Sequence, residues 1–259
     1  MPRFAANLTM LFTELPLTER FAAAAEAGFA GVEILFPYDT ATPELKRACK
    51  AAGLDFVLIN APPPNWAGGA RGFAAIPGLQ ERFQRDFERS LRVAQVLGAR
   101  HIHLMAGKAQ GDEAMETYVA NLAWAAKRAP HASLTIEPLN ATDRPGYFLD
   151  GFDMAVEVID RVGAPNLGLQ FDTYHAQSIT GDALATWARV KSHVRHVQVA
   201  AHPGRSEPDG GDLDHSEFFA ALDEDGYRGW VGAEYIPLRT THVGLAWLQH
   251  ALRKGTLPA

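Results

Sequence analysis

Short apolar stretches alternate with longer amphipathic ones along the chain, and this alternation occurs eight times within 259 residues. The apolar stretches have the length of buried strands, and the amphipathic ones have the apolar spacing of helices. Strands that alternate with helices pair in parallel through right-handed crossovers, so the sequence predicts an α/β fold. A glycine, the residue that most often ends a helix, follows five predicted helices, at Gly28, Gly53, Gly98, Gly163 and Gly226.

Eight strand–helix units in about 250 residues have the size of a closed (β/α)8 barrel. The alternative is an open, doubly wound sheet, which usually carries a glycine-rich phosphate loop after its first strand. The segment Asn7-Leu8-Thr9-Met10 contains no glycine, and this disfavours the open sheet. We therefore predict a (β/α)8 TIM barrel that forms a single domain over residues 1–259.

The predicted strands cover residues 4–12, 31–36, 55–60, 100–105, 133–137, 167–172, 194–199 and 229–235. The predicted helices cover residues 18–27, 42–53, 79–97, 112–128, 152–162, 182–190, 216–224 and 240–253. Two long loops interrupt the rhythm, at 61–78 and 201–214. We interpret the first as a lid over a binding site, because Trp66 can cover a small substrate and Arg71 can bind a carboxylate. The alternative is a connector rich in proline and glycine.

Four consecutive predicted strands, the fifth to the eighth, each carry an oxygen-bearing side chain at or near the C-terminal end. These side chains are Glu137, Asp172, Gln198 and Glu234. A structural ion pair would explain any one of the acids, but it explains the recurrence less well. In a TIM barrel the active site lies at the C-terminal ends of the strands. We therefore predict that the four side chains meet in one site.

Oxygen donors of this kind are the ligands that hard divalent ions such as Mg²⁺ or Mn²⁺ prefer. Such an ion could polarise the carbonyl of an α-hydroxy carbonyl compound and stabilise the enediolate formed when the α-proton leaves. Glu137 and Glu234, on opposed strands, could then remove a proton from one carbon and return a proton to the next. This chemistry indicates an isomerase, or an epimerase if the proton returns to the same carbon. Hydrolysis by metal-bound water stays open on these residues alone.

Composition excludes several other classes of protein. The formal net charge is −6 and no basic run appears, which argues against nucleic-acid binding. Cys49 is the only cysteine, so an internal disulfide is impossible and a reducing compartment is expected. No signal peptide and no apolar run long enough to span a bilayer is apparent. We expect a cytoplasmic protein that acts without a membrane, and the sequence leaves its oligomeric state, a homo-oligomer included, open.

Several stretches together resemble the hydroxypyruvate isomerase family, one of the xylose isomerase-like TIM barrels, and the resemblance covers nearly the full length. The stretches are 4–12, 31–33 and 36–39, 66–67 and 71–72 with 76–78, Ile136-Glu137-Pro138-Leu139-Asn140, Phe171-Asp172-Thr173-Tyr174-His175, and 229–235. The resemblance implies that Glu137 and Glu234 are the acid/base pair. It also implies that Glu137, Asp172, Gln198 and Glu234 bind the metal. The implied reaction converts hydroxypyruvate to tartronate semialdehyde through an enediol.

Five further residues are candidates for binding a small 2-oxo or hydroxy acid. Trp66 and Arg71 lie in the predicted lid, and Lys108 and Arg205 are plausible partners for the substrate carboxylate. His175 lies three residues after Asp172, and we expect it to contact the substrate or to orient the Asp172 side chain as a metal ligand. A purely structural role for this histidine is an equal alternative.

Three other functions stay open. Related members of the family isomerise four-carbon 2-oxo sugar acids, and the predicted site residues do not separate the two substrates. Similar barrels also serve as nucleases that bind zinc through several histidines and acids. The net charge of −6 disfavours this function, and so does the fact that histidines do not recur at the predicted strand ends. A protein that binds a sugar acid without catalysis would not need acids on two opposed strands.

Overall fold

The protein, for which a computed structural model was obtained, is described over residues 3–61 and 71–254. Eight parallel strands close into a barrel in which each strand pairs with the next and the last pairs with the first. The predicted (β/α)8 barrel is therefore confirmed. The strands are β1 Arg3–Asn7, β2 Gly31–Glu33, β3 Asp55–Asn60, β4 His101–His103, β5 Ser133–Ile136, β6 Leu167–Asp172, β7 Val194–Val199 and β8 Trp230–Ala233.

Helices follow the strands and form the outer layer. In the described residues they are α1 Arg20–Glu26, α2 Thr42–Ala51, α3 Gln80–Leu97, α4 Asp112–Arg128, α5 Phe152–Val162, α6 Thr173–Thr180, α7 Ala183–Val190, α8 His215–Glu224 and α9 Ala246–Lys254. Short 3₁₀ turns at Lys191–His193 and Thr241–Gly244 precede β7 and α9. None of the helices in this part of the chain is long and apolar enough to cross a membrane.

The predicted bounds are correct for β3, β6, β7, α4 and α5, where long apolar or amphipathic runs end at clear breaks. The predicted end of β1 at residue 12 is wrong. The strand stops at Asn7 because the N–H groups of Met10 and Leu11 turn back to donate to the Asn7 carbonyl. The sequence reading also missed α6, which begins directly after β6.

The way β6 packs explains why its acid points into the barrel. Phe171 is fully buried, and its ring lies 5.3 to 5.9 Å from the rings of Phe152, Trp187 and Phe218 in the helix layer. Burying a side chain of this size contributes roughly 1.5–3 kcal/mol. Because successive side chains of a strand face opposite sides, Asp172 is directed into the bore.

Candidate active site

A cavity of about 610 Å³ opens at the C-terminal ends of the strands. The residues that line it include Glu137, Glu234, His175, Arg205 and Arg71. Several side chains predicted from separate strands and loops therefore meet at one cavity, at the end of the barrel where TIM-barrel active sites lie. Beneath it, buried polar side chains fill the bore.

Arg205 lies between two of the acids. Its Nη2 atom is 3.1 Å from Asp172 Oδ2 and 2.7 Å from Glu234 Oε1. Burial lowers the pKa of Arg205, but the negative charges of Glu234 and Asp172 outweigh this effect and raise the pKa above its usual value. The sequence analysis predicts that this guanidinium binds the substrate carboxylate. In the structure its charge is shared between two carboxylates of the protein.

The backbone of Arg205 adopts a conformation that is rare for a residue with a side chain, with a φ of 52°. The left-handed region costs roughly 1–2 kcal/mol for an L-residue. Two hydrogen bonds hold the segment: the Arg205 N–H donates to the Ala201 carbonyl at 2.9 Å, and Ile236 N–H donates to the Arg205 carbonyl at 2.8 Å. The second bond fastens the loop after β7 to the chain just after β8, beside Glu234.

Glu137 is the least satisfied acid of the site. Its Oε2 atom accepts a hydrogen bond from Gln170 Nε2 at 3.0 Å, while its buried Oε1 atom has no partner in the described structure. Burial, together with the charges of Glu234 and Asp172, raises the pKa of Glu137 well above its usual value. The surroundings of Glu137 therefore favour its protonated form.

Glu234 has a different environment, because hydrogen-bond donors reach both of its oxygens. Oε1 accepts from Arg205, and Oε2 accepts from Asn7 Nδ2 at 3.3 Å and from Gln198 Nε2. Burial raises the pKa of Glu234 to about 8, and Arg205 acts in the opposite direction. Three donors stabilise the ionised form of a carboxylate. The two glutamates thus face one cavity with contrasting hydrogen bonding.

A second buried acid, Glu33 at the end of β2, lies directly below Glu234. Its Oε2 atom accepts from Asn7 at 3.2 Å and from Gln198 at 2.8 Å, and its Oε1 atom is 2.5 Å from His196 Nε2. Burial raises the pKa of Glu33 to about 8 and lowers that of His196 to about 3. The sequence analysis does not include Glu33 or His196 among the candidate site residues, although the acid at a strand end was a usable signal.

The hydrogen bonds of His175 fix the position of its proton. The backbone N–H of Asn140 donates to His175 Nδ1 at 3.1 Å, so Nδ1 has no hydrogen of its own. Burial lowers the pKa of His175 well below its usual value, so the ring is neutral. The remaining proton must then lie on Nε2, which is 3.8 Å from Asp172 Oδ2. His175 therefore presents a hydrogen-bond donor at the site.

The acids of the site fit a hard divalent cation. Ligand atoms of Glu137, Asp172 and His175 lie within 4.8 Å of one another, and the unpartnered Glu137 oxygen is the kind of donor that Mg²⁺ or Mn²⁺ prefers. The protonated Nε2 makes His175 a poorer ligand than the two carboxylates. Gln198, a predicted ligand, accepts from Gln170 at 2.6 Å and directs its nitrogen to Glu234.

Two predicted substrate-binding residues are not placed at this site by the described residues. Lys108 is exposed, and it is not among the described residues that line the cavity. Trp66 lies outside the described residues, as does half of the predicted lid. Arg71 follows that segment and does line the cavity, and so does Arg144, which the sequence reading passed over.

Comparison with known proteins agrees with the fold. The family model described as the xylose isomerase-like TIM barrel matches residues 21–251. The chain belongs to this family. Among its relatives, the 2-oxo-tetronate isomerase of Cupriavidus necator is 46% identical over 96% of this chain and 98% of the relative. The hydroxypyruvate isomerase of Escherichia coli is 40% identical over the same shares of the two chains.

A solved structure of the same family is also similar over nearly its whole length. This protein, described as an AP endonuclease of family 2 from Brucella melitensis, superposes with a TM-score of 0.93 at 44% identity. The alignment covers 96% of this chain and 99% of that one. The two isomerases named above, at 46% and 40% identity, confirm the resemblance to the hydroxypyruvate isomerase family that the sequence indicated.

Proposed function

We propose that the protein is an isomerase that interconverts hydroxypyruvate and tartronate semialdehyde by moving a proton between adjacent carbons. The observation that carries this proposal is the pair Glu137 and Glu234, which face one buried cavity with contrasting hydrogen bonding. Two carboxyl groups in different environments are what a reaction with one proton removal and one proton return requires. The names of the two isomerases reported above support the same reaction class.

In the proposed reaction, one glutamate removes a proton from C3 of hydroxypyruvate, and the C2 carbonyl becomes part of an enediol. A proton is then delivered to C2, and the hydroxyl proton moves from the oxygen on C3 to the oxygen on C2. We assign the first step to Glu234, since Arg205 and two further donors oppose the rise in its pKa that burial causes, and the delivery to Glu137, whose Oε1 atom has no such donor among the described residues. The Nε2–H group of His175 is available to donate to an oxygen of the intermediate.

A bound divalent ion would polarise the carbonyl and stabilise negative charge on the enediolate oxygens. Glu137 and Asp172 would hold this ion, and Gln198 and Glu234 complete the predicted ligand set within the same hydrogen-bonded network. Among the described residues, Glu137, Asp172 and Glu234 are buried acids of the site, and the partly exposed guanidinium of Arg205 is the cation that pairs with two of them, which supports a further positive charge at the site.

A four-carbon 2-oxo sugar acid is the second candidate substrate. The 46% identical relative from Cupriavidus necator carries the name of that activity, and a cavity of about 610 Å³ is larger than a three-carbon acid needs. Proton removal at C3 and return at C2 would shift the oxo group in the same manner. An endonuclease, the class named for the Brucella structure, is disfavoured by the net charge of −6.

The test is incorporation of deuterium from solvent at the carbon next to the carbonyl. Hydroxypyruvate and a four-carbon 2-oxo acid are each incubated with the enzyme in D₂O, with and without Mg²⁺ or Mn²⁺, and followed by NMR. Exchange at C3 of hydroxypyruvate that disappears in Glu234→Gln, together with loss of conversion to tartronate semialdehyde in both Glu137→Gln and Glu234→Gln, supports the proposal. The control is Glu44→Gln, because Glu44 is exposed on α2, on the outside of the barrel.

Exchange into the four-carbon acid alone would support the same mechanism and would identify the second candidate as the substrate. Absence of exchange with both acids under every metal condition would refute the isomerase. If the Glu234→Gln protein kept both its substrate affinity and its turnover, the acid/base pair would be wrong.

A further inference from the structure

Two arginines on the wall of the cavity have no carboxylate partner among the described residues. Arg71 and Arg144 both line the cavity. In contrast to Arg205, neither makes an ion pair with a carboxylate of residues 3–61 and 71–254, within a limit of 4.0 Å. The polar contact of the Arg144 guanidinium in this part of the chain is a bond from Nη1 to the Asp143 carbonyl at 3.0 Å. Arg71 lies over the Phe36 ring, 5.9 Å from its centre.

The two guanidinium groups are close enough to repel each other. Burial lowers the pKa of Arg71, and the charge of Arg144 is the next largest cause. Arg205 lowers it further, and Glu234 opposes the shift. Arginines that line one cavity without an acid partner can form an anion site. A bound anion reduces the repulsion between their charges and accepts hydrogen bonds from their N–H groups.

The lining of the cavity therefore carries groups for two tasks. Glu137 and Glu234 can exchange protons with carbon, and Arg71 and Arg144 can bind an anion. A 2-oxo acid carries the matching groups, since its carboxylate lies at one end and the carbons that exchange protons lie next to it.

We propose that Arg71 and Arg144 bind the carboxylate of the 2-oxo acid and restrict the enzyme to acids rather than to neutral sugars. This assignment rests on the proposed isomerase function and adds the specificity of that same site. It also replaces two earlier candidates for the role. Lys108 is outside the described lining, and the charge of Arg205 is already shared between Asp172 and Glu234. The two arginines fix the end of the substrate, and the glutamates then face C2 and C3.

The experiment measures binding separately from turnover. Tartronate, a three-carbon dicarboxylate, is titrated by calorimetry into the wild-type enzyme and into Arg71→Met, Arg144→Met and Arg144→Lys. Arg47→Met is the matched control, since Arg47 is exposed on α2. Methionine keeps the apolar stem and removes the charge. KM and kcat for hydroxypyruvate are measured on the same proteins, and circular dichroism spectra and melting temperatures report on folding.

Loss of a charge-assisted pair is expected to weaken tartronate binding and raise KM by roughly 10- to 100-fold in each methionine variant. The effect on kcat should be smaller, and Arg144→Lys should keep part of the affinity because it retains a charge without the paired donors. Unchanged tartronate affinity and KM in folded Arg71→Met and Arg144→Met would overturn the assignment. So would a wild-type enzyme that does not bind tartronate.

The two proposals fail in different ways. If tartronate binding depends on the arginines but hydroxypyruvate exchanges no deuterium, the isomerase is wrong and the anion site stands. If exchange occurs and the methionine variants keep the wild-type KM, the isomerase stands and the anion site is wrong.

Discussion

The proton on Glu137 should be visible in the pH dependence of folding stability. The folded pKa of this residue is well above its usual value, mainly because of burial, whereas an unfolded glutamate titrates near about 4.3. The folded chain thus keeps a proton that the unfolded chain releases. The stability that this proton contributes is full below the unfolded pKa, and it is lost as the pH rises towards the folded pKa.

The magnitude follows from linkage. Each difference of one bound proton changes the free energy of unfolding by about 1.4 kcal/mol per pH unit. Between the unfolded pKa and the folded pKa, Glu137 therefore lowers the free energy of unfolding by up to about 1.4 kcal/mol for each pH unit. Glutamine fits the same position, because its carbonyl can accept from Gln170 and its NH₂ group takes the place of the unpartnered Oε1. Glu137→Gln should therefore lose this part of the pH dependence.

The assay is urea unfolding at several pH values in the presence of EDTA, since a bound cation would compete with the proton. The free energy of unfolding of the wild type should fall more steeply with pH than that of Glu137→Gln, by up to about 1.4 kcal/mol per pH unit. Glu33 and Glu234, whose pKa values burial also raises, remain in both proteins, so the difference between the two slopes reports on Glu137 and on its coupling to these acids. Glu44→Gln, on the exposed face of α2, should behave like the wild type. Equal pH dependence in wild type and Glu137→Gln would refute the reasoning.

Three other perturbations have expected outcomes. Arg205→Met leaves Asp172 and Glu234 buried without their shared cation, and the free energy of unfolding, measured with urea at pH 7, should fall by about 3–5 kcal/mol. A decrease below about 1 kcal/mol would contradict the bridging role of Arg205. Gly232→Ala would put a Cβ atom 2.1 Å from Glu33 Oε1, and we expect a loss of roughly 1–3 kcal/mol, measured by thermal unfolding. Mn²⁺ should raise the melting temperature of the wild type and not that of Asp172→Asn, and an equal rise in both would place the ion elsewhere.

The elements that sequence reasoning located correctly are those whose own residues carry a strong pattern. The run Leu167–Asp172 is buried along its whole length, and α4 and α5 combine an apolar face with clear ends. These signals are local and need no knowledge of neighbours. A local signal also existed for α6, the helix that the sequence analysis missed. The Asp172 side chain caps this helix by accepting a hydrogen bond from the Tyr174 N–H at 2.9 Å. Reading Asp172 only as a site residue hid its second role.

The sequence by itself determined the barrel and the end of it at which the acids meet, because the alternation of strands and helices leaves few ways to bury the apolar faces. Only the tertiary structure decided how those acids are partnered. Arg205 reaches Asp172 and Glu234 from a loop held to the chain after β8, and Arg144 reaches the cavity from the loop after β5. Such contacts join residues far apart in the chain, and no local pattern encodes them. The same is true of the burial that raises the pKa of Glu137 and leaves one of its oxygens without a partner.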